Sequence, residues 1–335
     1  MVKRLIQRTY HFLQRVNKES KNYLKNRKNF GSHIAKVIFK DGIIPPGKSE
    51  SYLKEIENYV DGALHDFISN YELPVNNTDT YPKTDKIPVW VCWWQGEDAM
   101  PELVKMCYRR LHQIIPSDIA KIHLITLENY KEYVTFPKHI VEKFDKKIIT
   151  MTTLSDILRM SLLSEYGGMW IDSTVFLTDE LPNEFFEKEF YSQKMQNTEV
   201  AKREACKSMW CGFCMAGHSS NPLFHFVRDA FSEWWKKYDD IVDYVLIDYL
   251  ILEGYKNFPR IKELVDAVPN NNTGVFEMYK VLNQPYSAEL YNKLADNNAI
   301  HKLTYKMELQ KETAEHKETL YGHLLREVYE NERTC

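Results

Sequence analysis

Asp156, Arg159 and Asp172 stand among the many buried-looking residues of the stretch "SDILRMSLLSEYGGMWIDST" at 155–174. A buried charge is costly unless it is paired or bound to something. Asp156 and Arg159 lie at i and i+3, so on a helix they share one face. Either they form a mutual salt bridge, or they hold the polar groups of a ligand. Asp172 follows the apolar triplet Met169-Trp170-Ile171. A carboxylate at the end of a strand suits a divalent cation that carries diphosphate oxygens.

These residues need elements to position them. Thr153-x-x-Asp156 fits a capping box and predicts a helix start, with Asp156 in the first turn, where the helix dipole favours a carboxylate. Ile157, Leu158, Met160, Leu162 and Leu163 make the helix apolar on nearly all sides, hence buried. Gly167-Gly168 ends it, allowing a left-handed cap and a close backbone approach. "MWI" (169–171) is then a short strand, with Asp172 at its carboxyl end. Upstream, "IPVWVCWW" (87–94) reads as a buried strand, and Pro101 opens a helix to about Ile114. Strands are expected at 121–127 and 146–150, with a helix at about 137–144 between them. This alternation implies a parallel α/β sheet with nucleotide-type ligands at the strand carboxyl ends. Beyond residue 180 the pattern predicts strands at 189–193 and 209–217. Helices are expected at 222–238, 241–253 and 308–331. Towards the N-terminus a helix over 1–40 meets a break at "GIIPPG" (42–47). A second helix (49–69) and a polar loop (74–86) follow.

The 335 residues allow one large domain or two small ones, and 44% hydrophobic with 27% charged residues is the balance of a soluble globular protein. The N-terminus lacks an apolar secretion segment, and no apolar run is long enough to span a membrane. The six cysteines are therefore expected as reduced thiols in a cytosol. Asn76-Asn77-Thr78 and Asn271-Asn272-Thr273 fit the glycosylation pattern but carry no weight without secretion. Cys211-x-x-Cys214 lacks the second ligand pair that zinc needs, so it reads as part of a buried strand. Trp234-Trp235 reads as core. Charge is unevenly spread: eleven Lys/Arg against Glu19 give residues 1–40 a net +10, leaving −13 on the rest. Leu5, Ile6, Thr9, Phe12, Leu13 and Val16 recur at helical spacing, with Lys3, Arg4, Arg8 and Arg15 between them. This is either an interfacial helix on an anionic membrane or a helix packed on the body with a solvated basic face. No nucleic-acid-binding motif accompanies the charge.

Ser155-Asp156-x-x-Arg159, Tyr166-Gly167-Gly168 and Trp170-Ile171-Asp172 together resemble the core of sugar transferases of the GT-A type. More closely they resemble the capsular polysaccharide synthesis proteins and their relatives in glycosyltransferase family 32. "VWVCWWQGEDAMPELV" (89–104) and "DYVLIDYLI" (243–251) match the same group, so the resemblance covers about residues 85–305. It implies a Rossmann-like GT-A nucleotide-sugar-binding fold with a mixed central sheet over 85–305. An N-terminal basic helical region (1–80) and a C-terminal helix (306–335) are additions to it. It also implies a nucleotide-sugar donor, a uridine diphosphate sugar being favoured. Trp93, Trp94, Gln95 and Gly96 would meet the nucleotide, and Asp156 and Arg159 the sugar and ribose. Gly167, Gly168 and Ser173 would lie beside the donor.

Asp172 matches the first aspartate of the family's Asp-x-Asp motif, but here the motif is Asp172-Ser173-Thr174. With threonine in the second place, Mn²⁺ or Mg²⁺ would take the Thr174 hydroxyl, or rest on Asp172 and a later residue, or bind weakly through water. His301 is the candidate late ligand; its alternative is a surface histidine. Negative charge builds on the leaving diphosphate, and Lys302 is a candidate cation for it. Asp243 and Asp248 are five apart, about 140° around a helix, so only one faces the crevice. Asp248 is expected there, among Leu246, Ile247, Tyr249 and Leu250.

The implied activity is transfer of a sugar, with retained configuration, to a growing capsular or cell-surface polysaccharide on a lipid-linked acceptor. It would take place in the cytoplasm at the inner face of the membrane. Two rivals stand beside it. Thr174 motivates a non-catalytic protein that binds nucleotide sugar or glycan on the same fold. The other rival is an enzyme that glucosylates proteins.

Overall fold

The computed structural model describes residues 2–44, 47–74, 86–296 and 298–331. The loop expected at 74–86 and the Asn76 glycosylation pattern fall almost wholly outside these residues, as do the side chains of Leu5, Ile6, Lys3, Arg4 and Arg8 and the cysteine at 335. The chain opens with α1 (Val2–Ile43), which is broken at Gly31, where φ is 83° and ψ is 170°. It doubles back there. Tyr23 packs edge-on against Phe39 at 6.1 Å, and the Glu19 side chain lies against Gly42. The returning arm joins the core through Ile34 and Ala35. Phe30, just before the break, rests on Tyr59, Trp234 and Tyr238. Residues 9–14, beyond the doubled-back part, are exposed. Helix α2 (Glu50–Ser69) starts where Ser49 accepts the Tyr52 N–H, an ordinary N-cap.

The sheet follows. β1 (Ile87–Cys92) is buried through its middle, as a strand covered on both faces must be. Helix α3 (Glu102–Ile114) leads to β2 (Ala120–Ile125), which pairs parallel with β1. The short α4 (Tyr130–Tyr133) and α5 (Lys138–Asp145) come next. Residues 146–150 form no strand. Lys147 takes φ 57° in the turn that ends α5, and Ile149 plugs the core.

Helix α6 (Met151–Tyr166) carries the charged pair. Its N-cap is Thr150, which accepts the Thr153 N–H, so Thr153 is not the cap and Asp156 sits in the second turn. β3 (Gly168–Ile171) then pairs parallel with β1. A Cβ on Gly168, which has φ +86°, would lie 2.1 Å from the Pro88 carbonyl oxygen, so only glycine lets β3 start this close to β1.

After β3 come β4 (Val175–Leu177), α7 (Glu184–Glu187), β5 (Phe190–Ser192) and β6 (Cys214–Gly217). β6 pairs antiparallel with both β3 and β5. The strand order is β2-β1-β3-β6-β5, a mixed sheet rather than the parallel one that alternation alone suggests. The strand expected at 209–217 is confined to its last four residues. The remaining elements are α8 (Pro222–Lys237), α9 (Leu246–Asn257), α10 (Pro259–Asp266), α11 (Ala288–Ala295), β7 (Ile300–Lys302) and α12 (Leu320–Asn331). Two strands not foreseen, β4 and β7, pair antiparallel outside the main sheet. The tail is helical only from Leu320; the chain before it forms bridges at Glu312–Glu318 and Pro285–Thr319.

The main core lies under the sheet and takes in Tyr52, Ile56, Val60 and Leu64 of α2. A second cluster joins Leu103, Met106 and Cys107 of α3 to Phe176 of β4 and to Leu320, Leu324 and Val328 of α12. No helix among the described residues is long and apolar enough to cross a membrane.

Candidate active site

β1 and β3 are hydrogen-bonded neighbours, and the chain leaves them in opposite directions across the sheet. Such a reversal opens a crevice at the strand carboxyl ends. A cleft of about 920 Å³ lies there, bordered by Cys92 at the end of β1 and Asp172 after β3. Its volume is within the range of sites that enclose a small-molecule ligand.

The first wall is a charge network. Arg159 is only 5% exposed, held by α6 above Trp170, with its guanidinium carbon 4.9 Å from the ring centroid. One of its nitrogens reaches Asp156 Oδ1 at 3.3 Å and Asp172 Oδ1 at 3.4 Å. Asp172 Oδ1 also accepts the Trp170 indole N–H at 2.8 Å, and Oδ2 meets Lys302 Nζ at 2.5 Å. A Cβ on Gly212 would come within 2.7 Å of the Arg159 guanidinium, so glycine makes the room.

The second sheet explains Lys302. β4 follows the Asp172-Ser173-Thr174 turn directly, and its first residue, Val175, pairs with Lys302. Leu303 N–H also donates to the Thr174 carbonyl at 2.9 Å. The ammonium then lies over the Phe213 ring at 5.2 Å. Burial raises the Asp172 pKa, but Lys302 and then Arg159 outweigh it and hold the carboxyl below its usual range. Burial pushes Asp156 up to about 6, against the pull of Arg159.

Two further carboxylates line the cleft. Asp248, in the first turn of α9, accepts the Trp210 indole N–H at 2.9 Å. Burial, and next the charge of Glu204, push Asp248 up to about 7. Glu204 accepts the Ser208 hydroxyl at 2.5 Å and is itself raised by burial. The cleft thus holds two cations, Lys302 and Arg159, paired to Asp172 and Asp156, and two carboxylates, Asp248 and Glu204, bound to neutral donors.

Most of the expected residues line this cleft: Trp93, Trp94, Gln95, Asp156, Arg159, Asp172, Ser173, Thr174, Asp248 and Lys302. Trp94 also has a structural task, since its indole N–H donates to Met151 O and Ser155 Oγ and ties the end of β1 to the start of α6. Gly96, Gly167, Gly168 and His301 are not among the lining residues. Gly167 and Gly168 are buried against the backbone of residues 217–219 and Pro88. His301 is 0% exposed and bonds the Thr178 hydroxyl at 3.2 Å. It precedes Lys302 on β7 and so points to the other face of that strand. Burial lowers its pKa to about 4, leaving a neutral imidazole inside the protein rather than a surface histidine. Asp243 is spent on structure, accepting Tyr52 OH at 2.8 Å and Lys48 Nζ at 3.2 Å.

The donor set does not fit a divalent cation. Both oxygens of Asp172 are engaged, two cationic side chains lie within 3.4 Å of it, and His301 is turned away. Among the described residues no group of three or more His, Cys, Asp and Glu is placed to hold a metal ion.

Sequence reasoning missed Glu204, Trp210, Phe213 and Tyr305 as lining residues. Glu204 belongs to the turn-rich segment before β6, while Trp210 and Phe213 fall in the part of the expected 209–217 strand that is turn instead. Cys211 and Cys214 are buried free thiols, and burial raises both.

A family model described as capsular polysaccharide synthesis protein matches residues 44–324. The chain belongs to this family. The match takes in every element around the cleft, from α2 into α12. No curated protein matches this chain.

Proposed function

We propose that this capsular polysaccharide synthesis protein is a glycosyltransferase whose cleft takes a nucleotide-diphosphate sugar. A uridine diphosphate sugar is the favoured donor, and the relation to glycosyltransferase family 32 is part of the proposal. One observation carries it: Lys302, Arg159 and Asp172 meet at the carboxyl ends of β1 and β3, inside a cleft of about 920 Å³. Two cations at the switch point of an α/β sheet suit a diphosphate.

In this reading the bond between the sugar C1 and the diphosphate oxygen breaks, and the electron pair stays on that oxygen. The Lys302 ammonium meets the growing charge. The acceptor hydroxyl oxygen bonds C1 on the same face, and its proton passes to the departing diphosphate oxygen, so configuration is retained. Arg159, steadied by Asp156 and Trp170, holds the donor sugar and ribose. Asp248 accepts a hydrogen bond from another hydroxyl of the acceptor sugar, beside the attacking one. Trp93 and Gln95 border the base, and Trp93 Nε1, buried without a protein partner, is a donor for a base carbonyl. The acceptor is a growing, lipid-linked glycan.

Incubation with a panel of nucleotide sugars tests the reading. One donor should disappear with release of its nucleoside diphosphate. The second reading, a binding protein of the same fold, rests on Thr174 in place of the second aspartate; such a protein would protect its donor without consuming it.

The N-terminal arm fits the same setting. Tyr10, Phe12 and Leu13 are 59%, 44% and 58% exposed on a helix within the +10 segment. That combination suits an anionic membrane surface. The protein should float with anionic phosphatidylglycerol vesicles, more weakly at high salt, and not with phosphatidylcholine alone. Removing residues 1–18, which leaves the core-bound arm in place, should reduce flotation at least about tenfold and leave donor turnover unchanged. Equal flotation of the truncated and full chains would refute the membrane role.

A further inference from the structure

We infer that Lys302 stands where a divalent cation would, so that the cleft binds its nucleoside diphosphate without a metal. This rests on the nucleotide-sugar reading and deepens it.

The fit test above is its starting point. A divalent ion needs several oxygen ligands held close, and here the one carboxylate at the motif is already neutralised. Asp172 Oδ2 holds the Lys302 ammonium at 2.5 Å, while Oδ1 holds Trp170 and Arg159. The nearby carboxylate Asp156 is paired to Arg159. Asp248 and Glu204 are tied to Trp210 and Ser208. A metal at Asp172 would have to displace Lys302 and then sit beside it, meeting a like charge.

Lys302 is also placed by backbone and not only by its side chain. It pairs with Val175 in β4, right after the motif, and its own N–H donates to Val275 O at 2.8 Å. The strand pair therefore delivers a fixed positive charge to the residue that otherwise receives the metal. Thr174 in the second place agrees with this: a site that recruits no cation needs no second carboxylate. Lys306 and Lys280 also line the cleft, adding positive charge to it.

The test is binding of uridine diphosphate and guanosine diphosphate, by calorimetry, to the full chain with EDTA and with Mn²⁺. One diphosphate should bind equally, within about twofold, in both conditions. In EDTA, Lys302→Met should weaken it at least about tenfold, and Lys302→Arg should keep most of the affinity. Binding that needs Mn²⁺ overturns the inference and leaves the nucleotide reading standing. Affinity unchanged in a folded Lys302→Met also overturns the assignment to Lys302. No binding of either diphosphate in either condition overturns the nucleotide reading, and this inference with it. If Lys302→Met does not fold, the EDTA comparison on the wild type decides alone.

Discussion

Arg159→Ala should lose both turnover and stability. Arg159 is the hub of the charge network, in contact with Asp156, Asp172 and Trp170. Its removal leaves Asp156 without its cation in a largely buried setting, and Asp172 with Lys302 alone. Removing one partner of a buried pair typically costs about 3–5 kcal/mol. Donor turnover should fall roughly 10²–10³-fold, the usual effect of deleting one preorganised charge at a developing anion. The pH dependence identifies the cause. The folded-state pKa of Asp156 is about 6, above its ordinary value of 3.8. A raised carboxyl takes up a proton on folding, so stability is lost as pH rises through the folded pKa. Without Arg159 that pKa climbs further. The melting-temperature deficit of the variant should therefore widen from pH 5.5 to pH 8. Arg159→Lys should recover part of the stability and little of the rate, because an ammonium lacks the planar face that stacks on the indole while one nitrogen meets both carboxylates. A deficit independent of pH would refute the role assigned to the Asp156 pair.

Asp248→Asn should separate stability from activity. Asparagine keeps an oxygen for the Trp210 indole N–H but removes a charge from the cleft. The Asp248 pKa of about 7 lies well above 3.8. The wild type thus loses stability between about pH 4 and pH 7 on this account, by up to about 4 kcal/mol in total. The variant should be more stable than the wild type at pH 8, with the gap shrinking towards pH 5. Transfer to an acceptor glycan should fall about 10–100-fold, the worth of one charge-assisted hydrogen bond. Donor hydrolysis by water should change far less. The rise of wild-type transfer through about pH 7 should vanish in the variant. Unchanged transfer in a stabilised variant would leave Asp248 with no part in acceptor positioning.

What the sequence disclosed follows from how local each signal is. Asp156, Arg159 and Asp172 were legible because they interrupt an apolar stretch and lie within one helix–strand unit. β1, α3 and α8 were legible from apolar runs bounded by Pro and Gly. The N-cap was misplaced because Thr150 and Thr153 share one hydrogen bond and only backbone geometry separates them. Ile148-Ile149 looks like a strand but is the plug after α5. The sheet's mixed sense was not visible in alternation of elements, which carries no strand direction. It came only with the resemblance to known transferases. The tail at 308–319 has charge spacing that mimics a helix but is held by bridges to the 280s. Lys302 was named from its charge alone. Its partner Asp172 lies 130 residues away, joined through β4 and β7, each three residues long and too short to show a two-residue period. The same strand geometry turned His301 away from the cleft. Glu204 and Trp210 belong to irregular backbone, where function depends on tertiary placement that no local pattern records.

The central claim is that this cleft turns over a nucleotide-diphosphate sugar through the charges gathered at Asp172. Its most direct test is nucleoside diphosphate release from a donor panel by the wild type beside Asp172→Ala, with thermal melts to show that both are folded. The account predicts release from one donor by the wild type and a loss of at least about 10²-fold in the folded variant. Release that is unaffected in Asp172→Ala, or a wild type that neither binds nor consumes any donor, would contradict it.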